Sequence, residues 1–237
     1  MLRSIIWYLA FPITLLLFLP KMFTIGHLNG KMDDEEFNKL VEEYTSQWVS
    51  TLVKISGAKV DVQGLENIPE DGAVLFVSNH QSNFDTALFL AFIHKPKGYI
   101  AKSELLKIPL LRTWMKHLNC VFIDRKDMKN SLKGILKGIE ILKSGHSMVV
   151  FPEGTRSKSD NLGEFKSGSF KLATKPQVPI IPVTISGSYK LMEENNNKIK
   201  PAPVKMVIHQ PIIVKDLAQE ELVALPNRVK EIIKSAL

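Results

Sequence analysis

The sequence is poor in the residues on which several classes of site depend. Its single cysteine, Cys120, cannot form an internal disulfide, and a lone thiol suits a reducing compartment. The six histidines are scattered without the spacing of metal ligands, so we expect no metal site. The G-x-S-x-G motif that presents a nucleophilic serine is absent. The sequence therefore does not favour a disulfide scaffold, a metal centre or a serine hydrolase.

Positive charge is concentrated in one part of the chain. Residues 95–145 contain 12 Lys and Arg against 4 Asp and Glu, an excess of 8 that outweighs the net charge of +7 of the whole chain. Such a surface attracts anionic lipid headgroups, a phosphorylated substrate or nucleic acid. Because the stretch lacks an aromatic stacking surface and any recognisable nucleic-acid-binding module, we expect no nucleic-acid partner.

The N-terminal residues have the pattern of a membrane-associating segment. Residues 5–19 are apolar except for Pro12 and Thr14. As a helix they would rise about 22 Å at roughly 1.5 Å per residue, less than the ~30 Å hydrocarbon core of a bilayer. No small-x-small cleavage site follows, so we interpret the segment as retained rather than cleaved.

A second, amphipathic helix is predicted from residue 33 to about residue 55, with its apolar residues three and four positions apart. With the apolar segment, and a link at residues 26–30, it would form a helical hairpin that enters one leaflet or lies in the interface. Two alternatives stay open: a single tilted span over residues 2–25, and a second helix that only packs on the main domain. We predict a membrane-associating hairpin at residues 1–57 and a main domain at residues 58–237.

In the main domain, short apolar runs alternate with helical patterns, which favours an α/β layer around one mostly parallel or mixed sheet flanked by helices. One helix has an apolar stripe that we expect to face inward, formed by Leu132, Ile135, Leu136, Ile139 and Leu142. Lys129, Lys133 and Lys137 would lie opposite, either as a solvated face or as a contact for anionic lipid or an acidic carrier protein. We expect the Asn195 to Asn197 run and its flanking Glu193 and Glu194 to be an exposed loop.

A histidine and an aspartate five residues apart follow one of the predicted strands, in the stretch SNHQSNFD at residues 78–85. Functional sites of α/β proteins form in the loops at the carboxyl ends of strands. A turn between His80 and Asp85 would bring the carboxylate to one imidazole nitrogen and leave the other nitrogen as a base. Since no nucleophile of the chain completes a triad, we expect His80 to activate a hydroxyl of the substrate.

Two further stretches place arginines at predicted strand ends. FIDR at residues 122–125 ends in Arg125, and FPEGTRS at residues 151–157 contains Arg156 after Gly154. The planar guanidinium fork matches phosphate oxygens, and glycine lets backbone approach a ligand closely. Lys102 stands at another strand end within the basic stretch, so we expect it to be a further phosphate contact on electrostatic grounds.

These stretches together resemble a known family. NHQSNFD, FIDR, FPEGTRS and VPIIPV, in that order, are similar to the four sequence blocks of the glycerolipid acyltransferases, in particular the bacterial lysophosphatidic acid acyltransferases. The blocks span residues 79–183, and the N-terminal hairpin also resembles that of the bacterial members.

The resemblance implies a role for each matching residue. His80 would take the proton from the sn-2 hydroxyl of lysophosphatidic acid, and Asp85 would orient His80. Arg125 and Arg156 would bind the substrate phosphate, and Glu153 would contact the glycerol end. Gly154 and Thr155 would shape the loop between them.

The resemblance also implies the reaction and its partners. A fatty acyl group would move from a thioester of acyl carrier protein or coenzyme A to lysophosphatidic acid, giving phosphatidic acid without an acyl-enzyme. No cofactor is then required. The expected location is the cytoplasmic face of the inner membrane, as a peripheral or monotopic protein, with a single span as the alternative. Rival functions are acyl transfer to another glycerolipid acceptor and a noncatalytic module that binds anionic lipid.

Overall fold

A computed structural model describes residues 1–124 and 126–237 of the chain. Seven strands of the described residues form one sheet. The strands are β1 (Lys59–Gln63), β2 (Leu75–Ser78), β3 (Lys97–Lys102), β4 (Val121–Ile123), β5 (Ser147–Val150), β6 (Ile180–Ser186) and β7 (Pro203–Ile208). The helices are α1 (Leu2–Leu17), α2 (Leu19–Leu28), α3 (Asp34–Ser56), α4 (Phe84–Phe92), α5 (Pro109–His117), α6 (Met128–Lys143), α7 (Lys171–Thr174) and α8 (Gln219–Lys234).

The sheet is mixed, with the strand order β1-β7-β6-β2-β5-β3-β4. All neighbouring strands run parallel except β6 and β7, which pair antiparallel. The carboxyl ends of β6, β2, β5, β3 and β4 therefore meet at one edge of the sheet. This arrangement confirms the predicted single α/β layer with helices on both sides.

Two hydrophobic cores cover the two faces of the sheet, and the alternating residues of β2 contribute to both. Phe76 points into a core formed with α1 to α5, whereas Leu75 and Val77 point into a core formed with α6, α7 and α8. These β2 residues are fully buried, as expected for a central strand with both faces covered. The N-terminal helices and α6 thus lie on opposite faces of the sheet.

The N-terminal region contains one more helix than the sequence predicted. Gly26 lies inside α2, and the connection to α3 is residues 29–33 rather than the predicted link at residues 26–30. The break between α1 and α2 falls at Phe18, just before Pro20 in the first turn of α2, where proline is tolerated because its missing N–H has no intrahelical partner. Asp33 then starts α3 by accepting hydrogen bonds from the backbone of Glu35 and Glu36.

Helix α3 packs its apolar face, which includes Trp48 and Leu52, into the same core as α4. It is also tied to the sheet by a buried ion pair, because Lys97 Nζ of β3 donates to Glu42 Oε1 at 2.7 Å. Lys97 is fully buried, and burial lowers the pKa of its ammonium group. Glu42 is 3% exposed, and a carboxylate is almost never buried so fully unless it is paired.

Helix α1 leaves a row of large apolar side chains in contact with solvent. Ile5, Leu9 and Ile13 are 55%, 57% and 52% exposed and lie four residues apart, on one side of the helix. Within the described residues, no single helix is long and apolar enough to cross a bilayer, although α1 and α2, bent by 41° at their junction, pass that test together on length and composition.

Candidate active site

His80 lies just past the carboxyl end of β2, at the edge of the sheet where the parallel strands end. Its side chain is 15% exposed, so the ring reaches the surface while most of it is covered. The ring stacks on Phe151, with 4.2 Å between the ring centroids and 17° between the planes. Phe151 directly follows β5, and the pairing of Val77 with Val150 brings the two loops side by side.

Asp85 lies in the first turn of α4 and is fully buried. Its Oδ2 atom accepts hydrogen bonds from the backbone N–H groups of Gln81 and Ser82, at 2.7 and 2.8 Å. Its Oδ1 atom accepts from the Ser188 hydroxyl at 2.5 Å. These donors hold the carboxylate beneath the loop and satisfy a charge that would be costly to bury alone.

The imidazole and the carboxylate are in direct contact, with His80 Nδ1 at 2.7 Å from Asp85 Oδ2. A carboxylate can only accept hydrogen bonds, so Nδ1 carries the proton in this contact. The neutral ring then has an unprotonated Nε2, which can accept a proton from a bound hydroxyl group. The predicted turn between His80 and Asp85 thus places an oriented imidazole at the sheet edge.

Glu153 joins this loop to the loop after β5. Its Oε1 atom accepts from the His80 backbone N–H at 2.7 Å, and Oε2 accepts from the Gly163 N–H at 2.8 Å. The side chain is buried, and burial raises the pKa of its carboxyl group. The sequence resemblance assigned Glu153 a contact with the glycerol end of a substrate. The structure adds that one of its oxygens binds the backbone of His80 and the other binds the backbone of Gly163.

Arg156 belongs to the same loop, and its side chain is 32% exposed. Arg156 Nη1 donates to Glu193 Oε1 at 2.8 Å. Glu193 in turn accepts from the Asn83 backbone N–H at 2.9 Å and from the Ser82 hydroxyl at 2.6 Å. The structure therefore connects Arg156 to the loop between His80 and Asp85 through a single carboxylate.

Gly154 and Thr155 form the turn between Glu153 and Arg156. Gly154 has a φ of 72°, a left-handed conformation that favours glycine, and a Cβ atom there would stand 3.0 Å from Lys166 Nζ. Thr155 is exposed and lines a cleft of about 460 Å³ together with Glu153 and Lys166. The turn thus needs glycine for its left-handed conformation, and the close approach of its backbone to a ligand stays a prediction.

The remaining two predicted phosphate contacts are Lys102 and Arg125, and within the described residues Lys102 makes no contact with this network. Lys102 ends β3, two strands from β2 in the sheet, and its exposed ammonium group pairs with Glu104 Oε1 at 2.7 Å. It therefore shares the sheet edge with His80. Arg125 lies outside the described residues. Its predicted role stays a prediction.

Two contributors to the site were missed from the sequence. Ser188 lies in a 3₁₀ helix that follows β6 and donates to Asp85, more than 100 residues away in the chain. Glu193 was expected in an exposed loop, but its side chain is only 2% exposed. Nothing local in the sequence identifies their partners; the one available signal was their position after a predicted strand that ends at the same sheet edge.

In the part of the chain that the structure describes, no cluster of three or more His, Cys, Asp or Glu side chains could hold a metal ion. The loop that carries the oriented imidazole is joined through Glu193 to a partly exposed arginine, at the carboxyl edge of an α/β sheet. Such an arrangement is suited to removing a proton from a substrate that carries negative charge. The fold and the site together have the character of an α/β enzyme.

Comparison with known proteins agrees with this class. The family model described as Acyltransferase matches residues 59–186. A probable 1-acyl-sn-glycerol-3-phosphate acyltransferase of Mycoplasma pneumoniae is 35% identical over 205 residues, which cover 81% of this chain and 76% of that protein. The chain belongs to the acyltransferase family, and it is an enzyme.

Similar proteins occur in plants and among solved structures. The chloroplastic 1-acyl-sn-glycerol-3-phosphate acyltransferase BAT2 of Brassica napus is 33% identical over 213 residues, which cover 89% of this chain and 61% of that longer protein. The crystal structure of the 1-acyl-sn-glycerophosphate (LPA) acyltransferase PlsC from Thermotoga maritima has a TM-score of 0.82 and 32% identity, and the match covers 99% of this chain and 95% of that one.

The two hydrogen bonds of Glu153 generate a prediction about stability. In Glu153→Gln, the amide NH₂ must face one of the two backbone N–H donors, which is left unpaired in a buried place. We expect the free energy of unfolding to fall by about 1 to 3 kcal/mol. Denaturant unfolding measures the change, with the exposed Glu164→Gln as the matched control. Equal stability of the two variants would contradict the structural role of Glu153.

Proposed function

We propose that this protein transfers a fatty acyl group from an acyl thioester to the sn-2 hydroxyl of lysophosphatidic acid, which gives phosphatidic acid. The observation that carries the proposal is the 2.7 Å contact between His80 Nδ1 and the buried Asp85 carboxylate, since it makes Nε2 a base at the sheet edge. The names of the similar acyltransferases from bacteria and plants support the choice of acceptor.

In the proposed reaction, His80 Nε2 takes the proton of the sn-2 hydroxyl while the hydroxyl oxygen attacks the thioester carbonyl carbon. The carbon–sulfur bond then breaks, and the leaving thiolate takes the proton back from the imidazolium. The nearby Asp85 charge stabilises the imidazolium between these two steps. The base is restored at the end of each turnover, so no cofactor is needed besides the acyl donor, which is a thioester of acyl carrier protein or coenzyme A.

Direct transfer, without an acyl-enzyme, is part of the proposal. Two groups that could act as nucleophiles are unsuited to that task. The Ser188 hydroxyl is buried and donates to Asp85, and burial raises the pKa of the Cys120 thiol to about 12. Cys120 also precedes β4, which places it at the opposite edge of the sheet from His80.

The acceptor phosphate is assigned to the arginine and lysine side chains at the sheet edge. Arg156 uses one of its five N–H donors on Glu193 in the described contacts, which leaves others to bind phosphate oxygens. Lys102 and Arg125 are assigned to the same phosphate group. Gly154 and Thr155 shape the loop that carries Arg156. Glu153 keeps its proposed contact with the glycerol end.

We also propose that the N-terminal helices hold the enzyme on a membrane, at the cytoplasmic face of the inner membrane as a monotopic protein. A monoacyl substrate gains about 0.8 kcal/mol for each methylene that leaves water, so it stays in the bilayer, and the enzyme must meet it there. The exposed apolar row of α1 supports attachment to a membrane surface.

Substitution of the base tests the reaction. In His80→Ala, we expect kcat for acylation of lysophosphatidic acid to fall by about 10² to 10⁴, because the general base is lost. The measurement crosses acyl carrier protein and coenzyme A thioesters with several acceptors, and circular dichroism checks the fold. His94→Ala, at an exposed histidine, is the control. Unchanged kcat would reject the role of His80. Transfer by the wild type only to other acceptors would reject lysophosphatidic acid.

Charge placed on α1 tests the membrane surface. In Ile5→Glu/Leu9→Glu/Ile13→Glu, we expect binding to phosphatidylglycerol–phosphatidylethanolamine vesicles to weaken at least about tenfold, because carboxylates are costly to place in the interface. The matched control is Met128→Glu/Leu132→Glu/Leu136→Glu on α6. These three side chains are at least as exposed as those replaced on α1, and they lie on the opposite face of the sheet. Vesicle sedimentation measures both. Wild-type binding by the α1 variant, or an equal loss in the α6 variant, would count against this surface.

A further inference from the structure

We propose that Glu193 is a positioning residue that aims Arg156 at the acceptor phosphate and fixes its distance from the histidine base. The inference rests on the proposed function, in which Arg156 binds that phosphate and His80 acts on the neighbouring hydroxyl. It adds a residue that lies outside the four sequence blocks, between β6 and β7.

The contacts of Glu193 are those of a buried carboxylate with a defined task. Its side chain is 2% exposed, and it accepts three hydrogen bonds from Arg156 Nη1, the Asn83 N–H and the Ser82 hydroxyl, at 2.8, 2.9 and 2.6 Å. An exposed salt bridge contributes little, but here one partner is almost completely buried and hydrogen-bonded. The contact therefore restrains the Arg156 guanidinium group through Nη1.

Glu193 contacts two groups of residues that have different tasks in the proposed reaction. Arg156 is assigned to the phosphate, whereas Ser82 and Asn83 lie in the loop between His80 and Asp85. One carboxylate thus ties the phosphate-binding arginine to the loop that carries the base. In lysophosphatidic acid the phosphate and the reacting hydroxyl are on adjacent carbons, so a fixed span between arginine and base suits this acceptor. An arginine ordered before binding also loses less conformational entropy when the phosphate arrives.

The segment that carries Glu193 is itself fixed by helix α1. The Tyr8 hydroxyl donates to the Asn197 carbonyl at 2.7 Å, and Ser4 Oγ accepts from the Ile199 N–H at 2.9 Å. The Trp7 ring lies 5.4 Å from that of Phe84, at the start of α4. The proposed membrane helix α1 therefore contacts the backbone a few residues from Glu193 and the start of α4. These contacts fix the position of the Glu193 carboxylate relative to the loop that carries His80.

Removal of the charge separates this role from a merely structural one. Glu193→Gln keeps the size of the side chain and can still accept from Asn83 and exchange a hydrogen bond with Ser82, but it no longer neutralises Arg156. We expect KM for lysophosphatidic acid to rise about tenfold, while kcat stays within about twofold. Glu194→Gln, at the exposed neighbouring residue, is the matched control and should leave both constants unchanged.

A double-mutant cycle with Arg156→Ala then tests whether Glu193 acts through the arginine. In Glu193→Gln/Arg156→Ala, KM should equal that of Arg156→Ala alone, because the residue that Glu193 positions is gone. Independent, multiplying effects of the two substitutions would overturn the inference. So would a Glu193→Gln KM equal to that of the control.

A second substitution, Glu193→Asp, keeps the test valid if Glu193→Gln does not fold. If Glu193→Gln does not fold, Glu193→Asp keeps the buried charge but shortens its reach by one methylene, and its KM should still rise at least about threefold. An unchanged KM in a folded Glu193→Asp protein would then overturn the inference. If the wild type does not acylate lysophosphatidic acid, the proposed function fails. If the wild type is active and Arg156→Ala raises KM but neither Glu193 variant does, only the positioning role fails.

Discussion

The site depends on the burial of one negative charge, the carboxylate of Asp85. A carboxylate without solvent is stable only if donors surround it, and the loop after β2 folds so that two backbone N–H groups, the Ser188 hydroxyl and the His80 ring all point at it. The last of these contacts also fixes the tautomer of the imidazole, because Nδ1 donates to the carboxylate. The order of the loop and the orientation of the proposed base therefore both depend on this buried carboxylate.

Two more buried carboxylates extend this principle to the surrounding loops. Glu153 binds the backbone of His80 and of Gly163, and Glu193 binds Arg156 and the loop before α4. Each one joins strand ends that are neighbours in the sheet but distant in the chain. The strand register brings these loops together, and the carboxylates hold them there. The mixed sheet thus supplies the positions, while buried charge supplies the rigidity that a site at a sheet edge needs.

Much of this arrangement could be predicted from local sequence patterns, and the remainder depends on packing at long range. Alternation of apolar runs with turn residues predicted the strands, and the spacing of His80 and Asp85 predicted their contact. The stripe predicted on α6 was partly wrong, because Leu132 and Leu136 are 55% and 54% exposed. Gly134 faces the sheet instead, where a Cβ atom would stand 2.2 Å from Ile123 Cγ2. The close contact between α6 and the sheet thus requires a glycine, and this requirement decides which face of the helix packs inward. Glu193 was missed for a similar reason, since its burial depends on an arginine 37 residues earlier.

The most direct test of the account is the kcat of Asp85→Asn for acylation of lysophosphatidic acid. Asparagine keeps the shape of the side chain and can still accept hydrogen bonds from the loop, but it removes the charge beside the imidazole. The account predicts that kcat falls by about 10² to 10⁴, with KM for the acceptor changed only a few-fold and the fold intact by circular dichroism. A folded Asp85→Asn enzyme with wild-type kcat would contradict it.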